Sequence, residues 1–248
     1  MPDLPSDDEL AALFQGAPGS VLGEFCDPEP TAERKKLVET KERWARDGGK
    51  PGKQPETKYG PNTKGGRLPA GQHETRDWPV LDLGHSPLID TRDWQFTIAG
   101  LVERSIKWNW QTFIDQPQAL SVSDIHCVTD WSRCDNKWNG VLFRHVLDLV
   151  QPRPEAKFCV IHGHDGYTTN VPLERLRADN VILAHSWEGE PIAREHGGPA
   201  RLIIPDLYFW KSAKWTRHMV FLDNDTPGYW EARGYHNDGD PWREQRYK

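Results

Sequence analysis

The chain has 248 residues, a formal net charge of −6, 36% apolar and 27% charged residues, and 12 tryptophans. Its length suits one large domain or two small ones, burying about 70–75% of the unfolded surface, and an acidic chain without a basic, aromatic-studded stripe excludes a general nucleic-acid role. No run approaches about 18 uninterrupted apolar residues, which excludes a membrane-spanning helix, and four cysteines without a CxxC pair (Cys26, Cys127, Cys134, Cys159) exclude a disulfide scaffold.

The chain opens on acidic residues, with no apolar run and no twin arginine. Nothing marks it for export, and a cytoplasmic protein is expected. Ser6-Asp7-Asp8-Glu9 is a capping box ahead of Leu10, Leu13 and Phe14, with Gly16 as the stop, which predicts a short helix. The spacing over 31–47 predicts a longer one with a thin apolar stripe (Leu37, Val38, Trp44), lying on a surface and docked by Trp44. Residues 48–71 read as a linker, since 11 of the 24 are Gly or Pro. A helical extension and linker over 1–77 thus precede a domain over 78–248.

From Trp78 onward the pattern changes to short strands, predicted over 80–83, 94–98, 120–125, 158–162, 168–171, 181–185, 201–204 and 217–222, each bounded by Gly, Pro, Asp or Asn. Helical spacing appears over 110–115, 142–150 and 173–178. Alternation this irregular predicts an α+β domain of mixed sheets with interspersed short helices, not a doubly wound sheet. The stretch from Thr226 onward is aromatic and polar without periodicity, and its tryptophans and tyrosines argue that it packs back over the domain.

Two stretches carry chemistry. Cys127 ends the alternating run Leu120, Val122, Ile125 and opens a polar, Trp-studded loop toward Gly140. A thiol at a strand end can point into a cleft while the sheet holds its backbone. A thiolate ligand needs its charge compensated, and the loop offers only Arg133 and Lys137 against Asp124, Asp130 and Asp135. Compensation comes from the second stretch, because between Asp206 and Asp223 the chain carries Lys211, Lys214 and Arg217 and no acid. Its Lys-Ser-x-Lys run presents two ammoniums and a hydroxyl, donors suited to a phosphate. The plain alternative for Cys127 is an ordinary buried cysteine. A zinc site from Cys127, Cys134, His162 and His164 lacks the paired spacing of structural zinc ligands, and His126 is read as structural.

These stretches together resemble the molybdenum domain of the sulfite oxidase family. The pieces are Cys127; His196-Gly197-Gly198-Pro199-Ala200-Arg201 running into Leu202-Ile203-Ile204-Pro205; Lys211-Ser212-Ala213-Lys214-Trp215; and Trp230-Glu231-Ala232-Arg233-Gly234-Tyr235. Four separated motifs fall in the family's order across 78–235. The resemblance implies the sulfite oxidase molybdopterin-binding fold, a molybdenum ion on Cys127, and Tyr235 beside it. It implies molybdopterin contacts from His85 (in Leu83-Gly84-His85-Ser86-Pro87), Asn170, His196, Arg201, Lys211, Ser212 and Lys214.

The implied activity is two-electron oxygen-atom transfer on a small-molecule substrate. With no haem motif and no cysteine cluster, a separate electron-transfer partner is expected. The family's dimerisation domain is absent, so a monomer is expected. Leu83 and Ser132 stand where the sulfite-oxidising members carry arginines. Each loss removes ~1.5–3 kcal/mol of charge-assisted binding to a dianion, so sulfite is not the expected substrate. Cys127-Val128-x-x-Trp131-Ser132 instead resembles the branch that reduces peptide methionine sulfoxide. The alternatives kept open are a sulfoxide or N-oxide reductase on the same centre and a molybdopterin-binding protein without turnover.

Overall fold

The structure is a computed structural model describing residues 66–248, together with Glu39, Thr40 and Arg43. The helix expected near 6–14 and the linker up to residue 65 lie outside the described residues, as does most of 31–47; the three isolated positions are helical. In chain order the elements are β1 (His73–Glu74), β2 (Gln95–Gly100), β3 (Ile106–Asn109), α1 (Trp110–Ile114), β4 (Gln118–His126), β5 (Trp131–Leu142), α2 (Phe143–Val150), β6 (Phe158–Gly163), β7 (Thr168–Pro172), α3 (Leu173–Leu176), β8 (Ile182–Trp187), β9 (Glu190–Pro191), β10 (Arg201–Ile203) and β11 (Thr216–Leu222).

Alternation builds a five-stranded sheet ordered β3-β2-β11-β6-β7, antiparallel except for the β2–β11 pair. Phe96 and Ile98 of β2, and Met219 and Phe221 of β11, enter the same core. The second, six-stranded sheet runs β1-β5-β8-β10, with β4 also on β5 and β9 on β8. Helix α2 places Phe143, Val146, Leu147 and Val150 on one buried stripe, the i, i+3, i+4, i+7 spacing of an amphipathic helix. Full burial of each such side chain contributes ~1.5–3 kcal/mol. The helix stops where Gln151 turns left-handed ahead of Pro152. Helix α1 starts where the Asn109 side chain accepts from the Thr112 amide at 2.8 Å, a side-chain cap.

The α+β architecture of mixed sheets and short helices is the expected one, and the three expected helices match α1, α2 and α3 within two residues. Two local expectations fail. Residues 80–83 form no strand; they run along a cleft described below. The stretch after Cys127 is not a loop: a tight turn with Asp130 left-handed (φ 71°) feeds the twelve-residue β5. Its period is hidden because Asp135 is also left-handed and the register against β8 shifts between Asn139 and Gly140. At Gly140 an added Cβ would lie 2.1 Å from the Leu183 carbonyl oxygen, so only glycine permits that close approach.

Upstream of Trp78 the chain already belongs to the sheet. Strand β1 pairs in parallel with the start of β5, and Arg67 bridges Asp124 and Asp135 on the β4–β5 hairpin. Because Arg67 and Asp135 are largely exposed, this clamp is worth at most ~1 kcal/mol.

Candidate active site

The β4–β5 hairpin, the 78–83 segment and the 209–214 turn enclose a cleft of about 750 Å³, open mouth included. Cys127 lines it, one residue past the end of β4. Its backbone is held on both sides: its N–H donates to the Trp131 carbonyl at 2.8 Å, and its carbonyl accepts from Asp130 N–H at 3.2 Å and Gln72 Nε2 at 3.0 Å. The sulfur lies 3.1 Å from Thr129 Oγ1. His126 instead hydrogen-bonds Ser132 Oγ through Nδ1 at 2.8 Å.

The lining also carries the apolar and aromatic side chains of Leu83, Val128, Trp131, Trp230 and Tyr235. Tyr235 is 2% exposed and stacks on Trp230, with ring centroids 4.9 Å apart. Burial raises the pKa of its phenol, and Tyr247 and Cys127 raise it further. The residue is delivered by the 3₁₀ turn Glu231–Arg233, which ends at Gly234 with φ 99°.

The cleft's cations are Arg201 and Lys214. Arg201, at the start of β10, is 1% exposed. It donates from Nη1 to the His196 carbonyl and from Nη2 to the Ser212 carbonyl, both at 2.6 Å, and lies over the Phe209 ring at 4.3 Å. Its Nε has no hydrogen-bond partner. Burial lowers its pKa to about 9, so it remains charged at neutral pH. A buried cation bonded only to carbonyls is costly unless an anion joins it. Lys214 donates to the Glu195 carbonyl at 2.6 Å and sits 3.8 Å from Asp82. Ser212 also lines the cleft, its Oγ accepting from Ile204 N–H at 2.9 Å.

Three of the expected cofactor contacts are not brought to this lining, and a fourth touches it only through a neighbour. Lys211 is fully buried elsewhere, its ammonium bonded to Glu231 at 2.6 Å, to Asn170 through O and Oδ1 at 2.7 and 3.1 Å, and to the Asn237 carbonyl at 2.6 Å. Asn170 is held in the same network and by Asp225. The polar atoms of both join β7 to the 225–237 segment. His85 is half-buried outside the lining, because Asp82 turns its loop by accepting from Gly84 N–H and Ser86 Oγ. His196 stacks on Trp78 with centroids 3.9 Å apart, and Trp78 lines the cleft. Burial, then Arg201 and Lys214, lower the His196 pKa to about 4, and its Nδ1 has no partner.

Sequence reasoning missed Asp82 and Asp165, both in the lining. Burial raises the Asp165 carboxyl to about 7, against the pull of Lys214. Asp165 Oδ1 accepts from Tyr167 N–H at 3.1 Å. The Asp165-Gly166-Tyr167 run signals such a turn, but nothing in it signals a cleft. Among the described residues no group of three or more His, Cys, Asp or Glu is placed to hold a metal, so the four-ligand zinc arrangement does not form.

A buried thiol and the cations Arg201 and Lys214 thus line one cleft on mixed sheets. Residues 83–230 match the oxidoreductase molybdopterin binding domain. The chain is 42% identical over 183 residues to the uncharacterized oxidoreductase YuiH of Bacillus subtilis, covering 73% of this chain and 92% of that protein. It is 29% identical to a protein of Azospira oryzae named provisionally as the protein-methionine-sulfoxide reductase subunit YedZ1, covering 59% and 56% of the two chains. The structure is similar to that of the sulfane dehydrogenase SoxCD of Paracoccus pantotrophus, with a TM-score of 0.52, 22% identity and coverage of 57% and 41%. The chain thus spans nearly all of the Bacillus relative and about half of the Azospira one.

The chain belongs to the oxidoreductase molybdopterin-binding domain family. It is a molybdopterin-dependent oxidoreductase of the sulfite oxidase type, with molybdenum-molybdopterin as its cofactor. The residues present fit that group: one thiol for the metal, and Arg201 with an unspent Nε beside Lys214 for an anion. No described helix is long and apolar enough to cross a membrane.

Proposed function

We propose that the protein reduces a small sulfoxide or N-oxide, whose oxygen atom leaves as water, using two protons and two electrons from a separate partner, at a molybdenum ion that the Cys127 thiolate would hold. The observation that carries this reading is that Cys127 and Tyr235 line one cleft together with the cations Arg201 and Lys214. When bound, the cofactor supplies the redox-active metal for the exchange.

The chain's own residues bind, orient and manage protons. Cys127, its backbone fixed by Gln72 and the β4–β5 turn, presents sulfur to the metal. Arg201 and Lys214 hold the anionic part of the cofactor, and Ser212 adds a hydroxyl. Tyr235, kept protonated by burial, donates a hydrogen bond where oxygen moves, a role suited to a neutral phenol. Electrons pass through a separate partner.

Leu83, which lines the cleft, carries no charge, and this favours a neutral substrate. Ser132 is fully buried and its hydroxyl serves Gln72 and His126, so neither offers a dianion the arginines it needs. The test compares molybdenum-loaded protein reducing methionine sulfoxide or trimethylamine N-oxide with electrons from reduced viologen against the same protein oxidising sulfite to sulfate with ferricyanide as the electron acceptor. A kcat/KM about 10-fold or more in favour of the neutral substrates is expected from the missing charge-assisted bonds. Faster sulfite oxidation overturns the substrate assignment.

A further inference from the structure

Residues 127–130 form the turn between β4 and β5, and its backbone is held from several directions. Asp130 N–H closes it on the Cys127 carbonyl, which Gln72 also bonds from upstream. From the other end of the chain, Arg246 Nη1 donates to the Val128 carbonyl at 2.8 Å and pairs with Asp130. Arg246 is itself kept in place, because its carbonyl accepts from His236 N–H at 3.1 Å and Lys248 N–H donates to the Gly234 carbonyl at 3.0 Å. The turn is therefore a fixed frame for the side chains it carries.

Within that frame Thr129 folds its side chain back on Cys127, with Oγ1 3.1 Å from Sγ. A threonine hydroxyl in a turn commonly bonds a nearby backbone group; this one meets sulfur. In a thiol–hydroxyl pair either atom can donate. A cysteine that binds metal does so as the thiolate, which has no hydrogen to give, so in that state the hydroxyl is the donor. Cys127 lines the cleft, whereas Thr129 is half-buried outside the lining. The hydroxyl thus acts on the sulfur and not on a substrate.

We propose that Thr129 is a positioning residue for the metal-binding sulfur: its hydroxyl donates a hydrogen bond to the Cys127 thiolate, fixes the direction of the side chain and makes the bound metal easier to reduce. This rests on the reading that Cys127 holds molybdenum. Hydrogen bonds to ligand sulfurs are among the factors that set a metal's reduction potential. An added electron leaves the sulfur more negative, which strengthens a bond donated to it and so favours the reduced state. That direction suits a centre that draws its electrons from a separate partner. The hydroxyl keeps its proton throughout, and no covalent bond forms or breaks.

Thr129→Val removes the hydroxyl and keeps the branched shape, while Thr129→Ser keeps the hydroxyl. The full-length, molybdenum-loaded variants are titrated with redox mediators, the metal's one-electron couples are followed by electron paramagnetic resonance, and metal content is measured by elemental analysis. In Thr129→Val the midpoint potential is expected to fall. At the wild-type midpoint the ratio of oxidised to reduced centre then rises about 2- to 10-fold, the effect of one hydrogen bond, and Thr129→Ser returns it toward wild type. Metal lost from Thr129→Val and retained by Thr129→Ser also supports the proposal, since a bond that orients a ligand contributes to metal affinity. Wild-type potential and metal content in Thr129→Val overturn it, as does equal loss in both variants, which would mark a role in packing alone. Cys127→Ser separates the two readings. If that variant keeps its molybdenum, the placement of the metal on Cys127 fails and the proposal with it. If it loses the metal while Thr129→Val behaves as wild type, the proposal fails alone.

Discussion

Lys211 and Glu231 meet as a fully buried ion pair, Nζ to Oε1 at 2.6 Å. Glu231 Oε1 also accepts from Thr169 Oγ1 and Trp210 Nε1, each at 2.9 Å. The pair therefore joins β7, the 209–211 turn and the turn that delivers Tyr235. A lysine that the motif pattern marks for the cofactor thus serves as an internal tie.

Lys211→Met strands the Glu231 carboxylate in the core, and breaking a buried pair from one side costs ~3–5 kcal/mol. The double variant Lys211→Met/Glu231→Gln keeps an acceptor for Thr169 and Trp210 and should recover more than half of that loss. Denaturant unfolding of the apo-protein measures both. A near-neutral single variant would return Lys211 to the list of cofactor contacts.

Much of this was legible in the chain, because alternation in β2, β6 and β11 is regular and Cys127 stands where an alternating run ends. What stayed hidden has physical causes. The long β5 is disguised by the left-handed Asp135 and the register shift at Gly140. The cleft's acids, Asp82 and Asp165, come from separate loops whose meeting no local pattern encodes. A motif lists residue types in order, whereas burial decides which ammonium faces a ligand: Lys214 lines the cleft and Lys211 does not.

Cys127→Ser should leave the fold intact, since serine is close to cysteine in size and shape and Gln72 still bonds the backbone carbonyl. Unfolding free energy should change by about 1 kcal/mol or less, while molybdenum bound per chain falls at least about 10-fold. Elemental analysis of the purified variant beside wild type decides. Full metal content would remove the sulfur from the coordination sphere.

Arg201→Met tests the unspent cation. Cofactor binding should weaken about 10- to 100-fold, the equivalent of one charge-assisted interaction. The apo-protein should lose little stability, because removing a buried charge offsets the lost bonds to the His196 and Ser212 carbonyls. Pterin fluorescence after equilibrium dialysis reads the first and a thermal melt the second. A large apo-state loss with unchanged retention would make Arg201 purely structural.

The pH response has two opposing parts. Burial lowers His162 to about 3 and His164, His196 and His218 to about 4. The unfolded chain therefore binds more protons between about pH 6.5 and 4, and stability falls as pH drops through that window. Asp165 acts in the other direction. Its folded pKa of about 7 exceeds the unfolded value, so the folded form holds a proton that the unfolded chain has lost, and its contribution fades as pH rises from about 4 to 7. Asp165→Asn should gain on wild type across that interval by at most ~4 kcal/mol, read as the difference in denaturant midpoints at the two ends. A constant difference would place the carboxyl at its ordinary pKa.

Strand β1 has a practical corollary. A gene trimmed to the matched residues 83–230 would discard Gln72, which reaches both the Cys127 carbonyl and Ser132, and would stop short of Tyr235. The homologous stretch by itself thus lacks the bond that steadies its thiol from outside the hairpin, and any minimal version of this enzyme has to begin before Arg67 and run on to Lys248.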